Sequence, residues 1–395
     1  MNLSSLKSTL IQACKENQEY CVSIRRKVHQ NPEIMFEEYA TQALIERELT
    51  DLGFSIQKTA KTGIIATIEG ASPGLCVALR ADMDALNITE ETNVEYKSQV
   101  PGKMHACGHD AHIACLLGAG RVISKFRENL KGKVKLIFQP AEEGGGGAKF
   151  IIDEGHLADV DRIFGIHVWH PTPSGVIGTL KGPMMASADM FKITIKGRGG
   201  HAAFPHTAID PTVVITEIYD ALQKLVTREI NPLHTTLITT PEFHGSQAGN
   251  VIASSGILTG TLRTFNKNDR NFLLDRMEQL ISHYSQAWRC EGKLDFIGMS
   301  YPPVVNDPAI VDEIADILED LGGIHEVEPT LGGEDFAFYQ QETKGVFLFL
   351  GIYNQIKRVI HPHHHPQFDI DEDILWKGAA IYSLLAFYSN FWKKE

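Results

Sequence analysis

From residue 63 to residue 169 the chain alternates short β-branched runs with a helical stretch, and this alternation restricts the fold more than any other feature. GIIATIEG (63–70) and LCVALRAD (75–82) read as strands bounded by Gly or Pro. DAHIACLLGAGRVISKF (110–126) reads as a helix opened by Asp110, with Ile113, Leu116, Leu117 and Val122 at roughly helical spacing. KVKLIFQP (133–140) is again a strand, followed by a glycine-rich turn and then by the strand RIFGIHVW (162–169). Such alternation predicts an α/β fold built on a largely parallel sheet.

The pattern changes near residue 183. Strand 188–197, helix 210–228, strands 235–243 and 256–265, helix 267–286 and strand 293–300 follow one another. That order is β-α-β-β-α-β, a self-contained ferredoxin-like unit of ~100 residues. GVFLFLGIY (345–353) then returns to a central-strand pattern, and DILWKGAAIYSLLAFYSNFW reads as a packed helix. The expected organisation is therefore one mixed α/β domain, 1–183 with 301–395, interrupted by an inserted domain, 184–300. With 43% of 395 residues hydrophobic, the chain has enough apolar surface for both cores.

The net charge of −12 and the lack of any extended basic patch argue against a nucleic-acid partner. Arg25-Arg26-Lys27, a short basic cluster, reads as solvated helix surface. The first twenty residues read as an amphipathic helix with no basic-then-apolar signal pattern, and no apolar run approaches membrane-spanning length. The expectation is a cytoplasmic protein whose six cysteines are free thiols.

Metal-binding residue types collect at the strand ends. MHACGHDAH (104–112) holds Cys107 and His109, a thiol and an imidazole suited to zinc or a similar divalent ion. Alone, such a pair reads more simply as a buried thiol beside a surface histidine. FQPAEEGGGG then places Glu142 and Glu143 just beyond the strand 133–140, where ligands gather in open α/β sheets. His167 lies in an apolar strand, where a lone histidine is more often a core residue, but it ends the next strand of the series; His170 follows as an exposed residue. LRADMDAL brings Asp82 and Asp84 to another strand end, and Asp82 reads either as orienting a ligand histidine or as capping a loop. Finally IHPHHHPQFDIDED (360–373) is a histidine-rich tract able to send one or two imidazoles to one site. Five such ligands exceed one tetrahedral zinc and suit two metals sharing a bridge.

In this order the clusters resemble the aminoacylase/carboxypeptidase family of co-catalytic metallopeptidases, and within it the amidohydrolase branch of hippurate hydrolases, N-acetyl-diaminopimelate deacetylases and auxin-conjugate hydrolases. The resemblance is carried by RRKVHQNPE (25–33), LRADMDAL, MHACGHDAH, FQPAEEG, GIHVWH, GRGGHAAFPH (197–206), GNVI (249–252), GTLRTF (260–265), GGEDFAFY (332–339) and HHPQFDIDE (364–372). It implies a two-metal catalytic domain with the inserted domain acting as lid or dimerisation domain, and a homodimer or higher homo-oligomer.

The resemblance further implies Cys107, His109, Glu143, His167 and His364 as metal ligands, with His361, His363 and His365 as extras. Glu142 is implied as general base, His201 as a catalytic group that reaches a partner subunit's active site, and Asn250 and Arg263 as substrate-binding residues. Most branches of the family carry His-x-Asp where this chain has Arg80-Ala81-Asp82, which agrees with the amidohydrolase branch. The activity implied is hydrolysis of N-acyl amino acids (hippurate-like, N-acetyl or related) with two divalent ions, zinc, manganese, cobalt or nickel. A carboxypeptidase or dipeptidase using the same chemistry is the alternative. A non-catalytic binder would have lost Glu142 or several ligands, and a structural metal site has no use for adjacent glutamates and more than four donors.

Overall fold

The computed structural model describes residues 3–246 and 248–388. The chain forms two compact units: Met1–Gly182 with Val305–Glu328 and Asp335–Glu395, and Pro183–Val304 with Pro329–Glu334.

The first unit is built on an eight-stranded mixed sheet. Its four central strands, in spatial order Lys131–Gln139, Ser72–Asp82, Arg162–Pro173 and Lys344–Tyr353, run parallel. They are buried along nearly their whole length, as parallel strands covered on both faces must be. Their apolar runs are therefore continuous rather than alternating. Ser55–Thr59 and Gly63–Glu69 add antiparallel strands at one side, and Ile177–Thr179 and Ile324–Glu326 complete the other.

The helix His109–Lys125 packs against the sheet and against the last helix, Leu375–Tyr388, which is apolar around its circumference and buried accordingly. Close approach of these helices requires small residues. A Cβ at Gly118 would stand 3.1 Å from that of Ala379, and one at Gly378 would stand 2.4 Å from the Cys115 sulfur. All six cysteines are buried free thiols. Among the described residues no helix is long and apolar enough to cross a membrane.

Register brings the chemistry to one edge. Asp82 lies opposite Gln139, three residues before Glu142, and His167 lies opposite Phe349. The carboxyl ends of the parallel strands thus hand their loops to the same rim.

The second unit is a four-stranded antiparallel sheet in the order Thr236–His244, Ser255–Thr264, Asp189–Lys196, Glu291–Phe296, with helices Pro211–Arg228 and Lys267–Ala287. The alternate residues Phe191, Ile193 and Ile195 pack with Val214, Ile218, Leu222, Leu273 and Met277. Asp210 and Asn266 start the two helices by accepting backbone N–H groups of the first turn. Pro241 falls where the register of the edge strand slips, a position that needs no ladder donor. Residues 301–304 and 329–334, expected in the other domain, belong to this unit. Ala188 and Tyr301 exchange two 2.9 Å backbone hydrogen bonds, and the Ala186 N–H donates to Thr330 at 3.1 Å.

Candidate metal centre

The turn after strand Lys131–Gln139 is held in an unusual shape. Ala141 has φ +56°, left-handed for a residue with a Cβ. The next two N–H groups, of Glu142 and Glu143, each donate 2.9 Å bonds to the two oxygens of Asp84. The turn closes at Gly147, where a Cβ would lie 1.8 Å from the Pro140 carbonyl oxygen. Gly147→Ala is expected to cost ~1–3 kcal/mol through overpacking and to lower turnover with it. Thermal unfolding and kcat measured together check this, and an unchanged variant would mean the turn relaxes freely.

Around this turn the expected ligands converge. Cys107, His109 and His167 each bring one ligand atom within 4.8 Å of the others. So do Cys107, Glu143 and His364, and so do His109, Glu142 and Glu143. The triads share Cys107, His109 and Glu143, so they adjoin as two neighbouring centres would. Cys107 Sγ lies 3.5 Å from His167 Nε2, and His364 Nε2 lies 3.3 Å from Glu143 Oε1.

Of the late histidines, His364 alone enters these groups. It also has a left-handed backbone, φ +63°, and its N–H donates to the Ala106 carbonyl at 2.8 Å. Its loop is thereby tied to the Cys107 loop. His363 instead packs on Trp169 and Phe368 and accepts the His170 N–H, while His361 and His365 stack on each other at 4.4 Å.

The donors are oriented from behind. His109 Nδ1 donates to the Asp84 carbonyl at 2.8 Å, which leaves its Nε2 buried without a hydrogen-bond partner. That is the tautomer a ligating histidine needs. With a thiol, imidazoles and carboxylates around it, this orphaned nitrogen fits a borderline divalent ion. Asp82 accepts from His112 Nδ1 at 2.5 Å, and His112 Nε2 accepts the Val168 N–H at 2.8 Å. His112 has both nitrogens engaged and supports the site as an orienting group.

Charge and burial prepare the donors. Burial, with His112 and His363 nearby, holds His167 well below the usual histidine range, so it is neutral. Burial works to lower His109, but Asp82, Asp84 and Glu143 outweigh it and raise it to about 10, so a cation at Nε2 would have to displace a proton there. Burial, then Glu143 and Glu142, push the Cys107 thiol far up. A cation beside the sulfur would offset that penalty, because it favours the thiolate. Burial opposes ionisation of Glu143 too, yet the His364 hydrogen bond and His109 keep its carboxyl below the usual range.

Several residues differ from expectation. Arg25, read as solvated surface, is fully buried: it binds Asp110 at 2.9 Å, Asp369 at 2.6 Å and Glu372 at 3.0 Å. It thereby joins the helix bearing His109 to the segment after His364. Asp110 does not cap its helix, which starts at His109 after a left-handed Gly108; its carboxylate accepts from Arg25 and from His29 Nδ1 at 2.8 Å. His170 lies within strand Arg162–Pro173, with a buried Nε2. Asp82, open to two readings, accepts from His112, while the hydrogen bonds of Asp84 support both glutamates and His109.

In the second unit His201 and Asn250 lie together. His201 pairs with Val251 in a two-stranded ladder, and the Ala202 N–H donates to the Asn250 carbonyl at 3.0 Å. His201 is exposed and accepts the Ala203 N–H on Nδ1. Arg263 is on strand Ser255–Thr264 opposite Leu237, and burial holds its guanidinium below its usual pKa.

Comparison with known proteins places this geometry. The family model described as peptidase family M20/M25/M40 matches residues 78–387. Thermostable carboxypeptidase 2 of Saccharolobus solfataricus is 40% identical over 381 residues, 95% of this chain and 97% of the relative. N-acetyl-L-cysteine deacetylase of Bacillus subtilis is 39% identical over 381 residues, 96% of this chain and 88% of the relative. The crystal structure of the Bacillus subtilis YXEP protein, a dinuclear metal binding peptidase, superimposes with a TM-score of 0.83 at 33% identity, covering 95% of this chain and 99% of that one.

Proposed function

The chain belongs to the peptidase family M20/M25/M40, and from that footing we propose that it hydrolyses the amide bond of N-acyl amino acids with the help of two divalent metal ions. The observation that carries this reading is the set of adjoining donor triads built from Cys107, His109, Glu143, His167 and His364 beside Glu142. The likeness to a deacetylase of an N-acetyl amino acid supports the substrate class.

The five named donors would hold the ions, whether zinc, manganese, cobalt or nickel. Ions bound there would supply Lewis acidity toward a water and a carbonyl oxygen. Glu142 takes a proton from that water and returns it to the leaving nitrogen. A C–O bond forms, the C–N bond breaks, and a carboxylic acid and a free amine result. The roles expected of His201 in oxyanion stabilisation and of Asn250 and Arg263 in substrate binding are carried with this reading. So are a cytoplasmic setting and a homodimeric or higher assembly, with a small-molecule substrate and neither nucleic acid nor membrane as partner.

A 40% identical carboxypeptidase supports a second reading, cleavage of small peptides by the same chemistry. A panel of N-acetyl amino acids, hippurate and blocked dipeptides, assayed with added manganese, cobalt, nickel or zinc, separates the two. The expected result is a kcat/KM for N-acyl amino acids at least ~10-fold above that for dipeptides. The reverse order establishes the peptidase reading, and a metal-loaded protein inactive on the whole panel sinks both.

A further inference from the structure

Three consecutive N–H groups, of Ala141, Glu142 and Glu143, point into two buried carboxylates. Asp84 takes the last two. The first belongs to Glu38, whose Oε1 accepts the Ala141 N–H at 3.0 Å. Successive N–H groups in a turn with one left-handed residue form a natural anion cradle. Here the anions are side chains of the chain itself.

Glu38 is the residue before helix Tyr39–Asp51, yet its side chain caps nothing in that helix. It reaches across instead to Ala141 and to the Thr62 hydroxyl, which donates to Oε2. The residue is fully buried. A buried carboxylate and a left-handed alanine are each unfavourable for folding. Both fall on the peptide directly before Glu142. Strain of this kind persists where the surroundings hold it in place, and it concentrates at functional sites.

We propose that Glu38 is a positioning residue: by holding the Ala141 N–H it fixes the left-handed peptide that aims Glu142 at the reacting water. The proposal rests on reading Glu142 as the proton acceptor. Burial, partly offset by the Thr62 hydrogen bond, raises the Glu38 carboxyl to about 7. A neutral group therefore serves nearly as well as a charged one, provided an oxygen stays at the same reach. Glutamine meets that requirement: its oxygen accepts from Ala141 and its amide donates to the Thr62 hydroxyl. Aspartate keeps the charge and loses the reach. Leucine loses the acceptor.

The test compares metal-loaded wild type with Glu38→Gln, Glu38→Asp and Glu38→Leu on the best substrate of the panel. It also follows amide hydrogen exchange of the metal-free proteins in a peptide spanning residues 136–146. Glu38→Gln is expected within about threefold of wild type. Glu38→Asp and Glu38→Leu should lose roughly 10–100-fold in kcat, the scale of a misplacement of about 1 Å, with KM changed less than about threefold. Exchange in the turn should speed up in both. A purely structural role would lower the melting temperature and leave kcat per loaded enzyme alone. The proposal fails if Glu38→Asp keeps kcat within about twofold, or if Glu38→Gln falls as far as Glu38→Leu. Should Glu38→Leu not fold, Glu38→Asp decides. If wild type turns over nothing on the panel, the exchange arm decides alone: faster exchange in Glu38→Asp keeps the positioning role while the amidohydrolase reading falls.

Discussion

Glu142→Gln is expected to lower kcat by about 10²–10⁴-fold and to leave the metal content per chain at the wild-type level. The substitution is nearly isosteric. The anchoring of residue 142 to Asp84 runs through its backbone N–H, so the turn keeps its shape. What is lost is the carboxylate's ability to take a proton from water and return it to the departing nitrogen. Glu143→Gln differs, because that side chain sits in both the Cys107–His364 and the His109 donor groups. It is expected to lose metal together with activity. Amine release measured beside elemental analysis separates the two cases. Near-normal turnover by Glu142→Gln would move the base to another group, and loss of metal would make Glu142 a ligand.

The largest loss of stability is expected from Arg80→Met. Arg80 is fully buried and donates to Gln139 at 2.9 Å, to Asp82 at 2.5 Å and to Asp335 at 2.8 Å. Removing it leaves the buried Asp335 without its cation and takes the guanidinium from Asp82, which keeps His109 and His112 nearby. Breaking a buried pair this way costs ~3–5 kcal/mol, whereas replacing the whole pair is often neutral. Asp335 shows how little margin exists: burial, even with Arg80 opposing it, raises its carboxyl to about 6. Lysine does not rescue, since an ammonium cannot fork to three acceptors in one plane. A clear fall in the thermal transition of Arg80→Met, only weakly recovered in Arg80→Lys, is the expected outcome. Unchanged melting would show that water or relaxation supplies what the guanidinium gives.

Hydrophobic pattern located most elements to within a few residues. The helix expected at 110–126 is His109–Lys125, and the strand expected at 75–82 is Ser72–Asp82. Strand order was not legible, because it follows from packing between segments far apart in sequence: Lys344–Tyr353 pairs with Arg162–Pro173. The donor residues were legible through residue type and position at strand ends. Their supports were less so. Arg25 carries the same local signature as any basic helix surface, and its carboxylates come from Asp110, Asp369 and Glu372. Glu38 acts by accepting a backbone N–H, and nothing in a sequence marks which acid will do that. His364 was separable from its neighbours only through the motif; in space, its left-handed backbone and its bond to Ala106 single it out.

The interrupted first unit has a consequence for how the protein is born. The inserted segment Pro183–Val304 carries its four-stranded sheet in one uninterrupted stretch, so its core can close while the ribosome is still reading the remainder. The larger sheet must wait for its fourth central strand, Lys344–Tyr353, and His167 must wait for His364, synthesised 197 residues later (364 − 167). At ordinary elongation rates of ~5–20 residues per second that delay is ~10–40 s. During it Cys107, His109, Glu143 and His167 are in place in the chain while His364 is not. A chain truncated before His364 therefore emerges with four of the five donors and no means to supply the fifth.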